Sequence, residues 1–290
     1  MKDYVIITDA TSDLPLDILE QLDIEVIPMD FEMGGRIYRH FPDSRDMGFH
    51  EFYDKVRAGQ MPTTSQINGT TYISYFEPAL KAGKDVLYIC FSSGLSGTYQ
   101  ASLIAAADMA EKYPENRVIC VDSRAATLGE GLLVYSAVQK KRDGMCLDDL
   151  VKWLENNRFH VCHWFTVDDL FHLRRGGRIS SVAAVAGSAL GIKPIVHVDN
   201  DGHLIPMAKI RGRKKALDEL VTRMEKLSVC PKEQTAYIVH GDCLEDAKYV
   251  ADLVKERLHV KDVVIHFVGP IIGTHTGPGI VGLIFFGTEK

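Results

Sequence analysis

Three short apolar runs constrain this chain most. Each ends in a hydroxyl or carboxyl residue or has one within the next two positions, and each is followed by a helical pattern. They are Val5-Ile6-Ile7-Thr8-Asp9, Val86-Leu87-Tyr88-Ile89-Cys90 and Arg117–Val121. Runs with no polar alternation suit strands covered on both faces, and strands that alternate with helices need βαβ crossovers. The pattern therefore predicts an α/β fold with a mainly parallel sheet. Ligands on such sheets bind beyond the carboxyl ends of the strands. Thr8-Asp9, Ser92-Ser93 and Asp122-Ser123 all fall at that edge.

The remaining elements follow from periodicity and turn chemistry. Ser12 and Asp13 are read as caps of a helix running to about Leu22, with Pro15 early in it, and Ile24–Met29 as one strand. Phe31–Tyr38, centred on Gly34-Gly35, reads as a hairpin. Helical patterns occupy His50–Ala58, Tyr72–Ala82, Ala101–Glu111, Leu128–Lys141 and Leu147–Asn156. Beyond them come a strand His160–Thr166, a short helix Val167–Leu173 and a small-residue helix Ser181–Leu190. Strands Pro194–Val198 and His203–Lys209 flank the hairpin signal Asp199-Asn200-Asp201-Gly202. Helix Lys214–Leu227, strand Thr235–Val239, helix Leu244–Leu258 and strand Val263–Val268 follow, then a Gly-rich loop around His275 and a last strand Val281–Phe286. With 290 residues the chain is longer than most single cores. We expect two α/β domains with mainly parallel sheets, 1–158 and 159–290, and a ligand site between or within them.

The net charge of −6 argues against a general nucleic-acid binder. The six cysteines form no C-x-x-C pair, which argues against zinc and for reduced core thiols. Met1-Lys2-Asp3-Tyr4 runs straight into a strand with no signal-peptide pattern, and the weakly polar stretches are too short to span a bilayer. A cytoplasmic protein with no integral membrane segment and no metal or other cofactor is expected.

The densest cluster of small polar donors is Ser92-Ser93-Gly94-Leu95-Ser96-Gly97-Thr98. It lies between a strand and a helix, where backbone N–H groups are free to hold an anion. It contains no lysine and no Walker A pattern, so a carboxylate or single phosphate is favoured over a nucleotide triphosphate. Ordinary helix capping by Ser96 is the plainer explanation of part of it. Thr63-Thr64-Ser65-Gln66 could face the same ligand, and His275, framed by Gly and Pro, could donate to it. Ser96 and His275, with Asp122 or Asp9 to orient the imidazole, also allow a serine esterase, although Gly-x-Ser-x-Gly is absent. A binder of small phosphorylated metabolites is a further alternative. Arg174, Arg175 and Arg178 beside Gly176-Gly177 form a basic loop able to meet a phosphate or an acidic partner. Arg211, Arg213, Lys214 and Lys215 place positive charge at a helix start, against its dipole. His160, His163 and His172 carry no assigned role.

Several of these pieces, taken in order, resemble the DegV family of bacterial fatty-acid-binding proteins, which includes the binding subunit of fatty acid kinase. They are Thr8–Leu14, Pro62–Gln66, Ser92–Gln100, Asp122-Ser123, Leu170–Leu173 with Gly176–Ile179, Lys193-Pro194 and His275–Gly279. The resemblance covers essentially the whole chain, and Ile67 departs from it where many members have proline. It implies one long-chain fatty acid, such as palmitate, as ligand. Thr64 and Ser96 would hold the carboxylate, with Ser93 and Ser65 nearby, His275 close to the head group and Arg211 at a basic position beside it. It also implies a non-catalytic role: a separate ATP-binding kinase subunit would phosphorylate the carboxyl group for phospholipid synthesis. The basic runs, Arg174, Arg175 and Arg178 or the one at Arg211, are then the expected docking residues for that partner.

Overall fold

The computed structural model describes residues 2–168, 170–180 and 191–290. In chain order its strands are β1 (Tyr4–Asp9), β2 (Glu25–Ile27), β3 (Met29–Met33), β4 (Arg36–His40), β5 (Thr63–Thr64), β6 (Asp85–Cys90) and β7 (Val118–Asp122). Then come β8 (Val161–Thr166), β9 (Ile192–Val198), β10 (Leu204–Arg211), β11 (Thr235–His240), β12 (Asp262–Phe267) and β13 (Val281–Phe286). The α-helices are α1 (Leu16–Leu22), α2 (Phe49–Arg57), α3 (Gly69–Lys81), α4 (Thr98–Lys112) and α5 (Leu128–Arg142). They continue with α6 (Leu147–Asn157), α7 (Phe171–Arg175), α8 (Arg213–Leu227), α9 (Leu244–Leu258) and α10 (Pro270–Thr276).

The α/β class is as expected, and a parallel sheet of order β2-β1-β6-β7 stands at the front of the chain. The second large sheet, β10-β9-β8-β13-β11-β12, departs from the parallel expectation. Only its β11–β12 pair is parallel, and its other four pairings are antiparallel. The tight Asp199–Gly202 turn forces β10 back along β9, and β13 inserts between β8 and β11. A buried apolar run reads alike in either pairing, so strand direction was not legible from composition. The hairpin centred on Gly34-Gly35 forms as expected between β3 and β4, with φ of 62° and 76° at the two glycines. β5 adds to its other side, giving a small antiparallel sheet.

Local departures have local causes. Asp9, not Ser12 or Asp13, caps a short 3-10 turn at Ala10–Ser12 by accepting from Thr11 N–H, and α1 starts only after Pro15. The run Ile24–Met29 is divided at Pro28, which lacks an N–H for a ladder, into β2 of the parallel sheet and β3 of the small one. Val167–Leu173 is not one helix; α7 begins at Phe171 and takes in Arg174 and Arg175. The expected helix Ser181–Leu190 lies outside the described residues.

α5 organises the interior. Its residues from Leu128 to Val134 are all buried, Glu130 among them, so its first two turns are covered on every side. It shares one core with Leu87 and Ile89 of β6 and with Tyr237, Val239 and Ile284 of β11 and β13. α3 and α4 cover the other face of the parallel sheet, and α8 and α9 cover the outer face of the six-stranded one.

Candidate functional site

A cavity of about 290 Å³ lies against the inner face of the six-stranded sheet. This is close to the lower end of the usual range for ligand pockets, about 300 Å³. Phe165, Val198, Val239, Ile280 and Ile284 line it from the sheet side, Met29, Phe91, Leu95, Leu173, Ile271 and Ile272 from elsewhere. Polar groups gather among Thr64, Ser65, Gln66, Ser96, Arg178 and His275.

Each of those groups is fixed by its element. β5 is only two residues long, and its pairing with Phe31 of β3 sets Thr64 in place. His275 is carried on the last turn of α10, an element not foreseen in the Gly-rich stretch. Pro270 at its first position and Gly277 at its end, with φ 72°, frame this helix in the usual order. His275 Nε2 lies 2.9 Å from Thr64 Oγ1. Burial, reinforced by Arg178 and Arg175, pushes the imidazole pKa down to about 3, so it is neutral at pH 7. Its Nδ1 has no hydrogen-bond partner among the described residues and lies against Gly176, where a Cβ would come within 2.2 Å of it. The proton therefore belongs on Nε2, which donates to Thr64 Oγ1 and leaves the threonine proton free to point elsewhere. Arg178 donates through Nε to Leu95 O at 3.0 Å and also to Gly176 O, which ties the α7 end to the serine–glycine loop.

The Ser92–Thr98 loop is not the open anion cradle that its composition suggested. Ser93 N–H donates to Asp122 Oδ1, Gly94 N–H to Ser92 Oγ, and Leu95 and Ser96 N–H to Ser92 O. Ser92 Oγ donates to Gly202 O at 2.9 Å and so grips the β9–β10 turn. A Cβ on Gly94 would come 2.7 Å from Asp201 O, which is why no side chain stands there. Ser93 Oγ donates to Asp122 Oδ2 at 2.6 Å, and Ser93 does not line the cavity. Ser96 alone of the three serines lines the cavity; its hydroxyl pairs with Thr98 Oγ1 at 2.8 Å and accepts from Thr98 N–H. Ser96 is not the helix cap that the plainer reading made it: the N-cap is Gly97, with no side-chain capping bond, and most of the loop's donors serve Asp122, Gly202 and Ser92.

The esterase geometry is not assembled. Ser96 Oγ is paired with Thr98 and His275 with Thr64. Asp9 accepts from Thr11, Tyr88 and Phe91, and Asp122 holds Ser93 and Arg124. Among the described residues no group of three or more His, Cys, Asp or Glu could hold a metal ion, and all six cysteines are free.

The arginines separate. Arg178, expected on a partner-facing loop, lines the cavity. Arg175 donates to Pro62 O and Thr274 O, clasping the start of β5 to α10. Arg174 is exposed, as is Arg211 at the end of β10, and neither lines the cavity. His163, given no role from sequence, also lines the cavity. Its Nδ1 lies 3.0 Å from Val161 O, its Nε2 accepts weakly from Ala126 N–H at 3.4 Å, and a Cβ on Gly129 would strike it at 1.8 Å. It packs on the N-terminal end of α5 as a neutral acceptor. Gln66 too lines the cavity, and a Cβ on Gly97 would come 2.3 Å from its Oε1. The close-approach glycines Gly97 and Gly129 were the available signals for both side chains.

The profile of the DegV family, described as an uncharacterised protein family, matches residues 3–288. A DegV domain-containing protein of Clostridium perfringens is 46% identical over 290 residues, 100% of this chain and 99% of that protein. A solved structure described as fatty acid binding of a DegV family protein from Thermus thermophilus superposes with a TM-score of 0.89 at 30% identity, covering 99% of this chain and 100% of that one. DegV of Bacillus subtilis, described as a fatty acid binding protein, gives 0.84 at 31% identity, again over 99% and 100%. Sequence profile, relatives and backbone agree over nearly every residue, and the chain belongs to the DegV family.

Proposed function

We propose that this protein binds one long-chain fatty acid, its tail in the apolar cavity and its carboxylate at the Thr64–His275 end. The observation that carries the reading is an apolar cavity closed at one side by hydroxyls, a neutral histidine and one arginine. Tail burial contributes about 0.8 kcal/mol per CH₂, so a long chain needs few polar contacts. Thr64 and Ser96 donate to the head group, Arg178 balances its charge, and Ser65 lies close by. The fatty-acid-binding relatives from Thermus thermophilus and Bacillus subtilis support the same ligand.

In this reading the protein is a carrier and not a catalyst. Residues 1–158 and 159–290 act as two domains around the ligand, in the cytoplasm. The carboxyl group is presented to the ATP-binding subunit of a fatty acid kinase, whose acyl-phosphate product enters phospholipid synthesis. Arg174 and Arg211, both exposed, are its docking contacts. The test is native mass spectrometry of the expressed protein, then organic extraction and titration with C14–C18 acids. Co-purified acid and saturable binding are expected; an empty protein that binds none of these acids refutes the reading.

A further inference from the structure

The sheet-side wall of the cavity has one position without a side chain. Ile280, just before β13, and Gly282 and Ile284 within it all line the cavity. In register, Gly282 lies opposite Phe165 of β8 on one side and Val239 of β11 on the other, and both of those line the cavity too. The glycine is therefore the centre of a patch whose four neighbours are all large and apolar.

Backbone geometry does not require this glycine, because its φ is outside the left-handed region. Nor does a neighbouring main chain crowd it. A Cβ there would come 2.9 Å from Val239 Cγ2 and 3.4 Å from Phe165 Cβ, while the nearest backbone atom, Trp164 O, is 4.0 Å away. The one close neighbour is the Val239 side chain, and a strand glycine with no bulge and no close backbone often marks a place where a ligand approaches. We propose that Gly282 forms a notch that admits the acyl chain onto the sheet, and so helps set the longest acid held. This rests on the fatty-acid reading above and extends it to chain-length selection.

The experiment titrates delipidated wild type, Gly282→Ala and Val239→Ala with decanoate and with palmitate. For Gly282→Ala, palmitate affinity is expected to fall about fourfold for each methylene excluded, with decanoate affinity unchanged. Val239→Ala enlarges the same notch and is expected to raise the preference for longer acids. The double variant is expected to recover palmitate binding. Equal losses for both acids, or no loss, overturn the inference, because a purely structural glycine would not discriminate by length. Should Gly282→Ala fail to fold, Val239→Ala decides alone, and an unchanged length preference overturns it. A wild type that binds neither acid would instead sink the fatty-acid reading itself.

Discussion

Glu130 gives the sharpest numerical prediction. It is fully buried in α5, with Thr8 Oγ1 2.9 Å from Oε1 and Thr11 Oγ1 2.9 Å from Oε2. Thr8 Oγ1 is also 3.0 Å from Ile89 O, which can only accept. One hydroxyl has one proton, so when Thr8 serves the carbonyl, Oε1 must donate and Glu130 must be protonated. Burial first, and then the neighbouring Asp9, raise its pKa well above the ordinary value of 4.5. In the unfolded chain the group ionises near that ordinary value, while the folded chain keeps the proton. Above it the unfolded state binds fewer protons, so this group lowers stability as pH rises, by about 1.4 kcal/mol per unit, until it ionises in the folded state too. Glutamine keeps the shape and both hydrogen bonds but does not titrate. Glu130→Gln should therefore gain on wild type as pH rises from 5 to 7, by up to about 1.4 kcal/mol per unit while the folded carboxyl keeps its proton. Asp9 and Asp13 are present in both proteins and drop out of the difference. Urea unfolding at pH 5, 6 and 7 measures it. A difference that stays flat, or falls with pH, refutes the proton assignment.

Other perturbations have equally definite outcomes. Gly202 has φ 79° and a Cβ there would meet Ser92 Oγ at 2.0 Å, so Gly202→Ala should cost about 1–3 kcal/mol, read as a lower Tm. Gly176→Ala would drive a methyl into His275 Nδ1. Fatty-acid affinity should drop roughly tenfold, as for loss of one hydrogen bond to a charged group, with cooperative unfolding retained; unchanged affinity would disconnect His275 from the ligand. His275 stays neutral down to about pH 3, so its contribution to stability is complete above pH 6.5 and is lost as pH falls toward 3. His275→Gln should remove a slope of about 1.4 kcal/mol per pH unit from the acid limb of the stability curve. Arg174→Glu should weaken phosphorylation by the kinase subunit while the acid is retained on native mass spectrometry; loss of the acid instead would put Arg174 in lipid binding.

Strands and helices were legible wherever the pattern was long and regular. Leu244–Leu258 and Val281–Phe286 agree residue for residue with α9 and β13. What stayed hidden was set by partners far along the chain. Ser92, Ser93 and Ser96 look equivalent in sequence, yet one serves a turn 110 residues away, one serves Asp122 and one lines the cavity. Arg174, Arg175 and Arg178 look like one basic run, but α7 and the glycine turn after it send them to solvent, to Pro62 and to the cavity. Thr64 and His275, 211 positions apart, were placed on one ligand by their residue chemistry, but the hydrogen bond that joins them directly was not foreseen. His163 was missed because its only signal was Gly129, a glycine well upstream whose close approach to the imidazole cannot be told from other helix glycines in sequence.

The burial of α5 on both sides has a consequence for how the protein comes apart. Leu133 and Val134 share one core with strands from both large sheets, so neither sheet can leave without uncovering the helix. A fragment ending at residue 158 would carry that helix with one apolar side bare, an adhesive surface better suited to aggregation than to independent folding. The two sheets should accordingly melt in a single transition. An acid held in the cavity, whose lining comes from both sides of the same interior, should then raise the melting temperature of the whole chain and not of one part of it.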